Sequence, residues 1–112
     1  MPTVVVWSTA GEKAKGLQNM SPIPEDVLFV FTNINPGQVF HSRNVKHPFD
    51  IIFLNQKGVI LDGVKTVEPP NAEVVAPEGT AYAIEAAENE LERLNMDMSR
   101  TVNINALLGR LQ

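Results

Sequence analysis

The sequence predicts a mainly β domain, a single antiparallel β-sandwich or jelly-roll-like barrel with two short peripheral helices. Three observations predict it. About seven short runs of β-branched and aromatic residues recur at spacings near ten residues, turn residues separate them, and only two stretches have helical signals. At 112 residues the chain has the usual size of one domain and needs no disulfide or structural metal to bury a core. We therefore expect one domain over residues 1–112.

The first third of the chain predicts two strands joined through a short helix. Thr3–Trp7 is β-branched and aromatic, and Val27–Phe31 is a continuous apolar run, typical of a strand buried on both faces. Thr9 and Glu12 have the spacing of a capping box, so a helix should begin here and run to about Leu17. The two prolines that follow break any longer helix.

The middle of the chain predicts strands joined by tight turns. Pro36-Gly37 suits a type II turn and precedes a more polar strand, Gln38–Asn44. Phe49–Leu54 is a second core strand, and Gly58 can take the positive φ of a hairpin that leads into Val59–Leu61.

The last third predicts two further strands, a helix and a strand-like tail. Glu73–Ala76 is a possible short strand, and Thr80–Glu85 alternates like a longer one. Apolar residues then recur at helical spacing, at Ala87, Leu91 and Leu94. The glutamates of this helix are expected on its solvated face: Glu88, Glu90 and Glu92. Thr101–Ile104 alternates like a strand.

Charge and hydropathy limit the partners that we expect. Residues 1–67 hold six Lys or Arg against five Asp or Glu, but residues 68–112 hold three against eight, so the acidic C-terminal part repels phosphate backbones and disfavours nucleic-acid binding. The longest apolar stretches are too short to span a bilayer, and no basic leader precedes them. We therefore expect no membrane association and a cytoplasmic or virion location.

The densest polar cluster, residues 40–50, is the first place to look for chemistry. A catalytic set of Ser42, His47 and Asp50 would need a nucleophile elbow and a Gly-rich oxyanion loop, and the sequence around Ser42 contains neither. A metal site formed by His41, His47 and Asp50 would need side chains to converge that strand alternation does not bring together. We therefore predict no catalytic residue, no metal and no cofactor.

Asp50 interrupts an otherwise apolar strand, where an unpaired carboxylate would be costly. One interpretation is structural: Asp50 pairs with Arg43 or accepts backbone N–H groups and so fixes the entry of the strand. The other is functional: Arg43, Asn44 and Asp50, with His41 beside them, line a small polar pocket for an anionic or amide-bearing ligand.

Taken in order, several segments resemble the domain-of-unknown-function family 192 (DUF192) of bacteria, archaea and phages. The matching segments are Gly16-Leu17, Leu28–Phe31, Phe40 with Arg43-Asn44, Pro48–Leu54, Gly58–Ile60, Pro69-Pro70 and Ala81–Glu85. The resemblance covers about residues 4–102. It implies a compact, mostly antiparallel β fold with peripheral helices, and it implies no activity because none is established for the family. The chain departs from the family pattern at Gln18, at Asp26-Val27 and in the segment 41–45.

The apolar tail, residues 103–112, extends past the resemblance. Its leucines, Leu107, Leu108 and Leu111, should pack back on the domain or against a neighbour, because an exposed leucine cluster is a liability in a monomer. The leading hypothesis is a non-enzymatic interaction or structural module with a protein partner or a second copy, such as a decoration protein of a phage particle. The alternative is a small-molecule or anion-binding protein that uses the polar pocket described above.

Overall fold

The computed structural model describes residues 2–96 and 101–109. Seven strands form a five-stranded sheet of order β1-β2-β7-β4-β5 and a two-stranded sheet of β3 and β6. The strands are β1 Thr3–Trp7, β2 Val27–Phe31, β3 Val39–His41, β4 Phe49–Leu54, β5 Ile60–Val67, β6 Glu73–Val75 and β7 Tyr82–Ala87. The helices are α1 Ala10–Lys15, α2 Glu90–Arg93 and α3 Ile104–Gly109.

The prediction of a mainly β fold is confirmed, with three short helices instead of two. The expected antiparallel pairing holds throughout except between β1 and β2, which pair in parallel from Thr3 opposite Val27 to Trp7 opposite Phe31. A parallel pair requires a crossover connection, and the segment that carries α1 supplies it. No closed barrel is found among the described residues, and the finer sandwich or jelly-roll arrangement stays a prediction.

Both faces of the large sheet are covered, so its central strands are buried. The aromatic face carries Phe29, Phe31, Phe49 and Phe53, and the β3–β6 pair and the loop residues Leu17, Ile23 and Ile34 pack on it. The aliphatic face carries Leu28, Val30, Ile52, Leu54 and Ile84, and α2 and α3 pack on it. This explains why Val27–Phe31 and Phe49–Leu54 are continuous apolar runs rather than alternating ones.

The capping box that the sequence predicts is present at the start of α1. The Thr9 hydroxyl accepts a hydrogen bond from the Glu12 N–H at 3.1 Å, and the Glu12 carboxylate accepts one from the Thr9 N–H at 3.0 Å. The helix ends earlier than expected, at Lys15, because Gly16 leaves the helical conformation with a φ of 48°.

The glutamates of the next helix do not all face solvent. Glu88 and Glu92 are exposed, but Glu90 is buried and its carboxylate accepts hydrogen bonds from Arg93 and from the Asp26 N–H. The strand β7 runs to Ala87, and Asn89 then adopts a left-handed conformation, so α2 begins only at Glu90 and this side chain turns inward.

The predicted strand Thr101–Ile104 is not formed as a strand, and helix α3 begins at its last residue, Ile104. Only Thr101 makes a β-bridge, to Val59, and the Asn103 side chain then accepts the N–H of Ala106, which starts α3. Leu107 and Leu108 are half-buried against the core of the aliphatic face, and Leu111 lies outside the described residues. No helix of the described part is long and apolar enough to cross a membrane.

Gly58 lets the tail approach the sheet, which a pair of substitutions can test. Its φ is 85°, and a Cβ atom there would overlap the carbonyl oxygen of Val102. Gly37 has nearly the same φ, 83°, but no described atom lies within 4 Å of its Cβ position. Gly37→Ala should therefore cost only the left-handed strain of about 1–2 kcal/mol. Gly58→Ala should lower the free energy of unfolding by about 1–3 kcal/mol more, the cost of overpacking.

Urea denaturation of the two variants and the wild type measures this difference. Equal losses for Gly58→Ala and Gly37→Ala would show that the tail does not pack tightly against Gly58.

Candidate functional site

Asp50 lies on the aliphatic face and is 3% exposed. Its carboxylate accepts hydrogen bonds from the Thr66 hydroxyl at 2.7 Å and from the Asn89 N–H at 2.9 Å. Arg43 makes no ion pair with any described residue. Of the two structural alternatives for Asp50, the structure therefore has the backbone N–H contact, and this contact joins β4 to the turn before α2.

The other predicted binding residues lie away from Asp50. Arg43 and Asn44 are exposed, and the Asn44 amide donates to the Gln18 side chain at 3.2 Å. The His41 Nδ1 accepts the N–H of Arg43 at 3.2 Å. Because side chains alternate along β4, Asp50 points away from the aromatic face, on which its neighbours pack. The structure does not bring Arg43, Asn44 and Asp50 into one pocket.

The serine and the histidine of the hydrolase triad are not hydrogen-bonded to each other and contact other residues. The Ser42 hydroxyl, which is fully buried, accepts the N–H of Ala72 at 2.7 Å, and His47 contacts the Ser21 hydroxyl at 3.1 Å. Within residues 2–96 and 101–109, no group of three or more His, Asp or Glu side chains is placed to hold a metal ion.

The feature that stands out is a cleft of about 270 Å³ between α1, β3 and the aromatic face of the sheet, here called the α1 cleft. Buried apolar side chains line its interior: Leu17, Phe31, Phe40, Val45 and Phe49. Its polar lining residues are Lys13, Lys15, Gln18, Gln38, His41 and Glu85. Of the predicted binding residues, His41 is thus the one that reaches this cleft.

Glu85 is the most unusual of these residues. It lies on β7, the middle strand of the sheet, opposite Phe29 of β2 and Ile51 of β4, and is 3% exposed. Its carboxyl group makes no hydrogen bond or ion pair with any described residue, and it lines the cleft. Burial raises the pKa of Glu85 to about 8, because a charged carboxylate is poorly solvated among apolar side chains. At neutral pH the side chain is therefore mostly a neutral carboxylic acid, able both to donate and to accept a hydrogen bond.

Two lysines make the mouth of the cleft positively charged. The Lys13 ammonium donates to the backbone carbonyls of Thr32 at 3.3 Å and Asn33 at 3.2 Å, which fixes it beside the end of β2. Lys15, two residues along α1, is exposed. Both lie in a protein of net charge −4, so the cleft mouth is a local cationic site on an acidic molecule.

Sequence reasoning missed Glu85 as a site residue. The alternation of Thr80–Glu85 placed it on one side of a strand with Ala81 and Ala83 and gave it no role. The available signal was a lone acidic residue between Ile84 and Ala86. Its meaning depends on β7 being the central strand, which only the strand order reveals.

A family model matches residues 2–104: DUF192, described as "Uncharacterized ACR". No match is found among the curated proteins. A solved structure of a protein of unknown function from Novosphingobium aromaticivorans DSM 12444 is similar, with a TM-score of 0.72 and 23% identity over 83% of this chain and 68% of that one. A candidate transcription regulator from Sinorhizobium meliloti 1021 has a TM-score of 0.69 and 20% identity over 88% of this chain and 76% of that one. At these identities the two structures show a shared fold.

The segments that carry the family resemblance meet at the α1 cleft. They supply six of its lining residues, from five separate stretches of the chain: Gly16, Leu17, Phe31, Phe40, Phe49 and Glu85. The resemblance therefore extends from the core to the walls of this cleft.

Glu85 should make stability depend on pH. Below the ordinary carboxyl pKa of 4.5, both the folded and the unfolded chain hold its proton. Between about 4.5 and about 8 only the folded chain holds it, so the free energy of unfolding falls as pH rises, and the loss is complete above about 8. At about 1.4 kcal/mol per pH unit, the total is on the order of 3–5 kcal/mol.

Glu85→Gln should remove this pH-dependent loss of stability. The free energy of unfolding of the variant should therefore increase relative to that of the wild type as the pH rises from 5 to 9. Denaturation midpoints across this range measure it. Glu88→Gln makes the same chemical change at an exposed site and should keep the wild-type slope. Parallel pH curves for Glu85→Gln and the wild type would contradict a buried, proton-holding Glu85.

Asp50→Asn should lower the free energy of unfolding by about 1–3 kcal/mol, because an amide cannot accept both hydrogen bonds and would set an N–H donor against another. Thr66→Val removes only the hydroxyl donor and should cost less, about 1 kcal/mol. Chemical denaturation measures both. An Asp50→Asn variant as stable as the wild type would show that these contacts do not hold β4 in place.

Proposed function

Because the chain belongs to DUF192, a family described only as uncharacterized, we propose its function from the α1 cleft itself: the protein binds a small organic ligand there. The observation that carries the proposal is the Glu85 carboxyl, buried at the base of an aromatic cleft without a hydrogen-bond partner among the described residues. The proposal assigns binding and no reaction.

The Glu85 side chain is 3% exposed, and it is among the residues that line the cleft. No buried side-chain oxygen or nitrogen of the described residues lacks a hydrogen-bond partner, so the unpartnered Glu85 carboxyl keeps its remaining open surface toward the cleft. The matching carboxyl of Asp50, on the other face of the sheet, has two partners. A ligand in the cleft would therefore meet a carboxyl group that the protein itself leaves without a partner, and a hydrogen bond to it would offset part of the cost of burying that group.

The cleft also has the composition of a ligand site. Such sites are mostly apolar, with a few convergent polar groups and perturbed pKa values, and the α1 cleft combines both. Its volume of about 270 Å³ is just below the ~300–1,000 Å³ of sites for drug-sized molecules, so the ligand is small. The rings of Phe31 and Phe40 pack edge to face with their centroids 5.4 Å apart, and both side chains are buried. This packing supports a cleft wall that is already formed without a ligand.

The predicted interaction module, including a decoration protein of a phage particle, is the second candidate. One observation favours a protein contact: Val39 and Val75 are cross-strand partners in the β3–β6 pair and are 47% and 57% exposed. Two valines make a small apolar patch, and Leu107 and Leu108 pack on the domain's own core. Ligand binding therefore has the stronger support. An arrangement of the β3–β6 pair as the second layer of a sandwich fits either role.

A fragment screen by protein-observed NMR tests the proposal. Small organic fragments should shift the resonances of residues that line the α1 cleft. Ala14→Trp places an indole at the cleft mouth, on an exposed position of α1, and should abolish these shifts. Ala106→Trp is the matched control, because it adds the same indole to an exposed position of α3, on the opposite side of the sheet.

Hits that bind the wild type and Ala106→Trp equally, but not Ala14→Trp, support the cleft as the binding site. Hits that map elsewhere, or that bind Ala14→Trp as well as the wild type, would overturn the proposal.

A further inference from the structure

We infer that the ligand of the α1 cleft is a small organic anion whose opposite end carries an acceptor-only oxygen, such as a carbonyl. The anionic group lies at Lys13 and Lys15, and the carbonyl oxygen accepts a hydrogen bond from the carboxyl O–H of Glu85. This inference rests on the proposed binding function and names the chemical class that the cleft selects.

The cleft mouth favours an anion. An ammonium group has three N–H donors, and the two backbone carbonyls that hold Lys13 leave one of them for a ligand. Lys15 is exposed and forms no ion pair with any described residue. No carboxylate besides the neutral Glu85 lines the cleft within the described residues. A ligand anion would therefore meet cations that the protein does not neutralise.

The base of the cleft favours a hydrogen-bond acceptor. As a neutral acid, Glu85 has one O–H to donate, and no described residue of the cleft is hydrogen-bonded to it. A carbonyl oxygen matches this donor without requiring any charge to be buried. The aromatic side chains between the two ends suit an apolar body, and Phe31, Phe40 and Phe49 are all buried there.

Among the described residues, the charged or titratable side chains that line the cleft beside Glu85 are two lysines and a histidine, and Glu73 of β6, the cross-strand partner of this histidine, does not line it. Lys13 and Lys15 come from α1 and His41 from β3. Lys65 of β5 stands opposite Ile51 and so lies on the same face of the sheet. The neighbouring strands β2 and β4 contribute apolar residues at this point. Titration of Glu85 should therefore dominate the pH dependence of binding near pH 8.

The competing class is an amine. An ammonium ligand would gain from the aromatic rings and from an ionised Glu85. It would first have to pass Lys13 and Lys15, and at neutral pH it would also have to ionise a group that burial keeps protonated. Both costs disfavour it relative to an anion.

Four probes with one aromatic body separate these classes: 4-acetylbenzoate, 4-acetylbenzamide, 4-acetylbenzylamine and benzoate. Dissociation constants are measured by NMR titration at pH 6.5 and pH 9 with the intact protein. 4-Acetylbenzoate should bind tightest at pH 6.5. Its affinity should fall about tenfold at pH 9, because the protonated fraction of Glu85 falls about tenfold over this range. Benzoate, which lacks the far carbonyl, should bind more weakly and with less pH dependence.

Two variants test which part of the cleft binds each end of the ligand. Glu85→Gln keeps a neutral N–H donor, so it should bind 4-acetylbenzoate within a few-fold of the wild type but lose the pH dependence. The double variant Lys13→Gln, Lys15→Gln should weaken binding of the acid and leave the amide unchanged. Denaturation midpoints confirm that each variant is folded at both pH values.

Tighter binding of 4-acetylbenzylamine, with affinity rising toward pH 9, would overturn the inference in favour of an ammonium ligand. Equal binding of the acid, the amide and the amine, or no pH dependence for the acid, would also overturn it. In each of these cases, fragments that still bind the wild type but not Ala14→Trp would leave the proposed function intact. If the cleft binds neither fragments nor probes, both the proposed function and this inference are wrong.

Discussion

The central strands β7 and β4 are covered on both faces, so every polar side chain on them must be hydrogen-bonded, neutralised or removed. The two strands carry one carboxyl group each in adjacent rows of the sheet: Glu85 pairs in register with Ile51, and Asp50 with Ala86. Because successive residues point to opposite faces, the two carboxyls lie on opposite sides. The same constraint applies to both carboxyl groups, and the structure accommodates each of them differently.

On the aliphatic face the carboxyl group is accommodated by hydrogen bonds within the protein. Asp50 has a hydroxyl and a backbone N–H within hydrogen-bond distance, and these contacts join β4 to β5 and to the turn before α2. On the aromatic face, Glu85 has apolar neighbours and an open cleft. A protein selected for stability alone would favour an apolar residue at this position, because burying a carboxyl group among apolar side chains costs free energy. Retaining a carboxyl there is consistent with a role that stability does not explain, and ligand binding is such a role.

Much of the fold could be predicted from local sequence, but the site could not. The capping box at Thr9, the core strands Val27–Phe31 and Phe49–Leu54 and the turn at Gly58 are local signals, and each appears in the structure. The parallel pairing of β1 with β2 depends on which edge of the sheet the chain returns to, and local pattern does not encode that. Glu85 was missed for the same reason, since its burial follows from the position of β7 in the strand order. The composition of the polar segment 40–50 predicted a site there, but the alternation of side chains along β4 places Asp50 on the aliphatic face of the sheet.

The geometry of α1 links the fold to the cleft. The parallel connection from β1 to β2 requires a crossover, and the capping box fixes where its helix begins. The helix is only six residues long because Gly16 ends it, and the chain then turns so that Leu17 packs into the core of the aromatic face. A longer helix would carry its axis further along the sheet and displace Leu17. The short helix instead leaves Lys13 and Lys15 at the mouth of a gap whose base is Glu85. The cleft is therefore a consequence of how this crossover is built, so its cations, its aromatic walls and its carboxyl are positioned by the fold before any ligand arrives.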